Sequence, residues 1–382
     1  MNGRSLLETP TSRTTTGPRQ LLLLGAGPTH RQLLARLAQH PVSGVQITLI
    51  SPHQTVWQPE RLAAFVAGRA SAQACQIALE HWVQRSGVNW LCAKVRTLDA
   101  SGHSLSLDDG STRTFDCLSI DTEALQDRKQ IEQSRPGARE HALFVTPLAG
   151  FAALWPQVGA LAEQRALRFT VVGAGAVGTE LALALQARFP SHSTTLLAGS
   201  TPPCAFYPLA VQERVLQTLK QRKITVLQDT ALQISDKFVQ LACGAALTSD
   251  VTVLATPARA PIWAQSSGLA LCAQGLMAVD EHHRSTSHPR VFVLGDCSHR
   301  ESATHGPRSY AGSAQSGADL AQRLVATLTE QPLPAARASP GSPPWSLLDL
   351  GHGQALASRG GWTVQGRWVG WIKTWLDQKH GV

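Results

Sequence analysis

Gly173-Ala174-Gly175-Ala176-Val177-Gly178 sets three glycines in G-x-G-x-x-G register, and Glu180 follows two residues on. In that spacing the first glycine permits a tight turn and the second lets backbone N–H groups approach a pyrophosphate. The third lets a helix pack close to a strand. The helix N-terminus turns its partial positive charge toward the same anion. An incomplete copy stands earlier. Leu21 to His30 reads LLLLGAGPTH, with Gly25 and Gly27 in place and His30 where the third glycine belongs. Two readings of His30 are open: its imidazole donates to a phosphate oxygen, or it packs half-buried beside the turn while the helix stands off. A third landmark is VFVLGDC, whose Gly295 and Asp296 put a carboxylate at the C-terminal edge of a strand, where open α/β sheets hold ligands.

Strands and helices must position these residues. Gln20 to Leu24 is a continuous apolar run of the buried parallel kind. After the turn, Pro28 suits the first helical position, and Leu33, Leu34, Leu37 and Ala38 recur at helical spacing before a strand at Val45 to Ile50. The unit repeats as a strand at Arg168 to Val172, a helix from about 176 to 189 and a strand at Ser193 to Leu197. DVTVLATPARAP (Asp250 to Pro261) is a strand entering a Pro-rich turn, and FDCLSIDTE (Phe115 to Glu123) is its counterpart in the first half. The expected class is α/β, with two Rossmann-like dinucleotide-binding domains, the second inserted in the first, and a C-terminal segment ending in an amphipathic helix. The expected divisions are a disordered tail at 1–18, the first domain at 19–145 and 281–331, the second at 146–280, a Pro-rich linker at 332–345, and the C-terminal segment at 346–382.

Composition narrows the class. The 382 residues are 43% apolar and 16% charged, with a formal charge of +8. The charges are scattered, without the Lys/Arg clusters interleaved with aromatics that favour nucleic acid, so no nucleic-acid partner is expected. Seven cysteines never approach C-x-x-C spacing, which argues against a local redox disulfide and a zinc knuckle and fits a reducing cytosol. The first 18 residues lack the apolar core of a signal peptide, and no run of about 18 apolar residues is present to span a membrane. His282, His283, His288, His299 and His305 cluster around the GDC strand without acids or thiols at ligand spacing, so no metal site is expected.

Gly25/Gly27, Gly173/Gly175/Gly178/Glu180, the ATP turn at Ala255 to Pro257 and VFVLGDC occur in an order that resembles the pyridine nucleotide-disulfide oxidoreductase superfamily. ITLISPHQTVWQPERLAAFVAG and the Trp-rich C-terminus resemble its NADH dehydrogenase-like branch, especially flavoproteins that in some organisms are fused to selenide water dikinase. The resemblance implies FAD on the first domain, NAD(P)H on the second, and hydride passing between them. It implies that Gly25, Gly27, Pro28, Thr29, His30, Ser51, Thr122, Gly295 and Asp296 contact FAD. For NAD(P)H it implies Gly173, Gly175, Val177, Gly178 and Thr256, with Glu180 facing the nicotinamide. No acid ends the strand before Ala198-Gly199-Ser200, and no Arg lies between Phe189 and Gln212, so NADH and NADPH both stay open.

The acceptor divides the candidate functions. A quinone-like acceptor, as in type II NADH dehydrogenases, fits Gln315 in SAQSG as a hydrogen-bond donor to a quinone carbonyl. The alternatives are a sulfide- or selenium/disulfide-linked flavin reductase and a non-catalytic redox sensor. Cys117 and Cys297, at the ends of first-domain strands, read first as buried inert thiols, and second as a pair that meets in such a reductase. In GRWVGWIKTWLDQK, Trp368, Trp371, Ile372, Trp375 and Leu376 form one apolar stripe at helical spacing, with Arg367, Lys373, Asp377 and Lys379 off it. That stripe is expected to meet a membrane surface, the chain's own body or a second copy, which places the protein in the cytoplasm or peripherally on the membrane's inner face.

Overall fold

The computed structural model describes residues 17–301, 312–335 and 345–379. The expected tail and most of the expected linker lie outside them. The chain opens with β1 (Arg19–Leu24), α1 (Pro28–Gln39), β2 (Val45–Ile50), β3 (Asn89–Leu91) and β4 (Cys117–Ile120). It crosses into β5 (Ala142–Phe144), α2 (Leu148–Gln164), β6 (Arg168–Val172), α3 (Ala176–Arg188), β7 (Ser193–Leu197), β8 (Thr225–Leu227) and β9 (Val251–Leu254). It then returns through β10 (Val291–Val293) and α4 (Gly312–Leu328).

Two five-stranded parallel sheets result, ordered β10-β4-β1-β2-β3 and β5-β9-β6-β7-β8. The repeated unit seen in the sequence is therefore real in space, and the second sheet is inserted before the strand that completes the first. β5 pairs with β9, so the second sheet begins slightly earlier than the boundary at 145/146. The continuous apolar run of β1 has a simple cause. Leu22 and Leu24 face one core with Leu118, Ile120, Val291 and Val293, while Leu21 and Leu23 face another with Leu33, Leu34 and Phe292. A strand covered on both faces has no polar side to present.

In each sheet the strand order reverses beside the first strand of the unit, between β1 and β4 and between β6 and β9. Ligands of open α/β sheets bind in the crevice above such reversals. Gly25, Asp121 and Gly295 sit above the first, and Gly173 and Ala255 above the second.

The C-terminal segment is an antiparallel sheet, β11 (Ser346–Asp349), β12 (Ala355–Arg359) and β13 (Trp362–Gly366), followed by α5 (Arg367–Lys379). Leu348, Leu350 and Leu356 join the core that surrounds α3, so this segment is seated on the second unit. The face of α5 turned inward is not the apolar stripe. Val369, Lys373 and Asp377 are buried, while Trp368, Trp371 and Trp375 are 58%, 73% and 51% exposed. Gly370 makes the seating possible, since a Cβ there would strike the Gly353 carbonyl.

Candidate active site

A cleft of about 1740 Å³ runs from the β1/β4 reversal to the start of α3. That exceeds the ~300–1,000 Å³ of a pocket for one small molecule, as a site for two nucleotides in series must. Of the expected contacts, Gly25, Gly27, Pro28, Thr29, Ser51, Thr122, Val177, Glu180, Gly295 and Asp296 line it. Gly173, Gly175 and Gly178 form the turn at its far end. Thr256 stands back from the cleft, its hydroxyl accepting from Gln126 Nε2 at 2.9 Å, so it ties the second unit's turn to the first unit. Gln315 falls within α4, but its side chain lies outside the described residues.

The second turn has the geometry its glycines predict. Gly173 adopts φ +107°, and a Cβ there would lie 2.5 Å from the Ala255 carbonyl oxygen. A Cβ on Gly178 would strike the Gly173 carbonyl, whereas nothing stands within 4 Å of the corresponding position on Gly175. The open space and the uncapped N-terminus of α3 form a cradle for a pyrophosphate.

The first turn differs, and the phosphate reading of His30 is corrected. The imidazole is fully buried, with Nδ1 2.7 Å from the Gly25 carbonyl and Nε2 2.8 Å from Ser119 Oγ. A carbonyl only accepts, so Nδ1 donates and Nε2 accepts from the serine hydroxyl, leaving no ring nitrogen for a ligand. Burial pulls the imidazole below its ordinary pKa, which keeps it neutral and in this tautomer. His30 thus bridges helix, turn and β4 in the space that a third glycine would have closed.

Sequence reasoning missed two residues here. The Asp121 carboxylate accepts the N–H groups of Thr29 and His30, each at 2.9 Å, and is packed beneath Gly27 and Gly295. Arg31 is 4% exposed and borders the cleft; its Nη1 donates to the Ala26 carbonyl at 3.1 Å, and its Nε has no hydrogen-bond partner among the described residues. A buried guanidinium with an unused donor fits an anionic ligand, so the residues present suit FAD.

Glu180 is half-buried in the cleft wall. The backbone N–H of Asp349 in β11 donates to its carboxylate at 2.6 Å, and Asp349 in turn pairs with Arg69 at 2.5 Å. Lys373 of α5 reaches toward it, bonding the Glu60 carbonyl at 3.0 Å and Asp377 at 2.9 Å. Burial raises the Glu180 carboxyl from 4.5 to about 7, with Lys373 opposing. Burial pulls the Lys373 ammonium down, but Asp377, Glu180 and Asp349 together push it above its ordinary value.

A carboxyl raised in the folded state binds its proton more tightly than the unfolded chain does. Stability conferred at low pH is therefore lost as pH climbs from about 4.5 to about 7, by on the order of 3 kcal/mol. Glu180→Gln is expected to remove that decline while keeping the bond from Asp349. Urea unfolding at several pH values checks this, and parallel curves for the two proteins would refute it.

The two cysteines considered as a pair do not meet. Cys117 and Cys297 lie in cores on opposite faces of the first sheet, and burial pushes each thiol up to about 12.

Residues 19–317 match the family described as pyridine nucleotide-disulphide oxidoreductase. No curated protein matches the sequence. Among solved structures, the sulfide:quinone oxidoreductase of Aquifex aeolicus superposes with a TM-score of 0.77 at 14% identity, covering 94% of this chain and 90% of that one. NDH2 from Plasmodium falciparum in complex with NADH gives 0.74 at 13% identity, covering 95% and 96%. The water-forming NADH oxidase from Lactobacillus brevis, bound to NADH, gives 0.71 at 18% identity, covering 90% and 75%. At such identities the likeness shows the fold. The family match carries more, because it takes in both sheets and both glycine turns: the chain belongs to the pyridine nucleotide-disulphide oxidoreductase family and is an FAD-dependent NAD(P)H oxidoreductase.

Proposed function

We propose that this oxidoreductase passes electrons from NAD(P)H, by way of FAD, to a quinone-like acceptor at a membrane surface. One observation carries the reading: α5 is two-faced. Its polar face reaches the cleft wall through Asp377, with Lys373 beside it bonded to the Glu60 carbonyl, while its opposite face holds three exposed tryptophans. Tryptophan suits the headgroup layer, where an apolar ring and a polar N–H both find partners. A helix so placed would bring the cleft close to a lipid-dissolved acceptor. One structural relative is a sulfide:quinone oxidoreductase. No helix of the described residues is long and apolar enough to cross a membrane, so contact would be peripheral.

FAD, when bound, supplies the redox chemistry, accepting hydride from nicotinamide and releasing electrons to the acceptor. The chain's part is position and protons. Gly173, Gly175, Val177 and Gly178 hold the NAD(P)H pyrophosphate at the start of α3, and Ser51, Thr122, Gly295 and Asp296 line the flavin half. Leu347 and Leu348 cover the cleft from the C-terminal sheet and keep water from the nicotinamide end. Glu180 holds a proton near neutral pH, oriented by the Asp349 N–H, and is available to a reduced acceptor that must take up protons. Gln315 is assigned to the acceptor's carbonyl. The functional division assigns FAD to 19–145 and 281–331 without β5, and NAD(P)H to 146–280 together with β5.

Flotation with anionic liposomes and NADH:quinone assays test the reading. Wild type is expected to float and to reduce quinone faster with liposomes. Replacing Trp368, Trp371 and Trp375 with Ser is expected to abolish flotation and most quinone turnover, leaving reduction of a water-soluble acceptor within about twofold. A wild-type protein that stays unbound, and dimerises through this face instead, sinks the membrane reading.

A further inference from the structure

We propose that Arg31, rather than the N-terminus of α1, holds the pyrophosphate of the bound FAD; the inference rests on the FAD assignment above. The protein contains its own control, because the two turns share one design. Gly25 and Gly173 both have positive φ, and a Cβ on either would lie 2.5 Å from the carbonyl oxygen of the residue after the neighbouring strand, Asp121 in one unit and Ala255 in the other. Ala255 has nothing beyond its Cβ, so the start of α3 stays open to an anion. Asp121 has a carboxylate, and it occupies the equivalent place at α1.

The donors of α1 are thereby spent. Pro28 has no N–H, and the next two amides, of Thr29 and His30, both donate to Asp121. A pyrophosphate approaching this turn meets a negative charge where its second-domain counterpart meets free N–H groups. Its compensation stands two residues on. Arg31 is fastened to the turn itself through the Ala26 carbonyl, borders the cleft, and forms no ion pair with a carboxylate among the described residues. Its Nε is buried without a partner among the described residues, so the guanidinium at the cleft wall carries unused hydrogen-bonding capacity that an anionic ligand would draw on. Guanidinium is also the side chain whose fork matches phosphate geometry. The first unit therefore reads its dinucleotide through a side-chain cation, and the second through backbone amides.

Flavin fluorescence titration of apo-protein with FAD and with riboflavin, which has the ring and ribityl chain but no phosphate, tests this. Arg31→Met is expected to weaken FAD by about 10- to 100-fold and riboflavin by less than about twofold. If Met at this buried site prevents folding, Arg31→Lys reads the same contrast, keeping charge but not the fork, with an expected loss of about 3- to 10-fold for FAD alone. Equal FAD affinity in the variant and wild type, or an equal loss for both flavins, overturns the inference and leaves the cofactor assignment intact. Wild-type protein that takes up no flavin overturns both.

Discussion

Gly178→Ala is expected to slow reduction of the bound flavin by NADH at least about 100-fold, while leaving the flavin content of the purified protein unchanged. The added Cβ would strike the Gly173 carbonyl oxygen, with the Gly173 carbonyl carbon at 2.9 Å and the Ala255 Cβ at 3.2 Å closing the other sides. Two of the three obstacles are backbone, so α3 must move away from the turn. Overpacking of this kind costs about 1–3 kcal/mol in stability. The larger effect is on chemistry, since a displacement of about 1 Å in a substrate-positioning element can cost about 100-fold in rate. Stopped-flow bleaching of the FAD-loaded variant measures it. A wild-type rate would show that the close approach of α3 to β6 is unnecessary for nicotinamide placement.

Lys373→Met is expected to destabilise the protein by about 3–5 kcal/mol, and more at pH 8 than at pH 6. Lys373 and Asp377 are both buried and pair at 2.9 Å, with Glu180 and Asp349 nearby. Removing the ammonium leaves carboxylates facing one another in a medium that solvates them poorly. Protonation relieves that repulsion, so the deficit grows with pH. It also removes the charge that opposes burial at Glu180, so the Glu180 carboxyl should titrate above about 7. Thermal melts at the two pH values, with the pH profile of flavin reduction, test both parts. A pH-independent deficit would mean that Lys373 contributes packing rather than charge.

The parts of this fold that were legible in the sequence are those written in local spacing. Leu21 to Leu24 announce a strand covered on both faces, and the two G-x-G turns each follow a strand and precede a helix. Their order, with the GDC strand returning at the end, carries the insertion of one sheet within another. The parts that were missed are written across distance. Asp121 is 92 residues from Thr29, and nothing in FDCLSIDTE says its carboxylate turns toward α1. The contrast is nonetheless present in the sequence, since DVTVLATPARAP is the counterpart of the same stretch and puts Ala255 in the corresponding turn. Arg31 stands one residue past His30, outside the G-x-G-x-x-G spacing that draws attention to the turn. The C-terminal helix shows a different limit. Periodicity correctly finds its apolar stripe, but cannot say that the opposite face is the one covered. Lys373 is tolerated inside because Asp377, one turn along the same helix, pairs with it, while Asp349 and Glu180, far away in the chain, add to the field that holds its charge.

The late return of β10 has a further consequence for biosynthesis. Strands β5 to β9 of the second sheet occupy one uninterrupted stretch of chain and can assemble as soon as that stretch leaves the ribosome. The first sheet cannot: β4 lacks one hydrogen-bonded neighbour until Val291–Val293 has been made. The inserted sheet therefore completes its strand pairing first, and the amino-terminal strands wait with an open edge, a long-range closure of the sort that slows folding and invites aggregation.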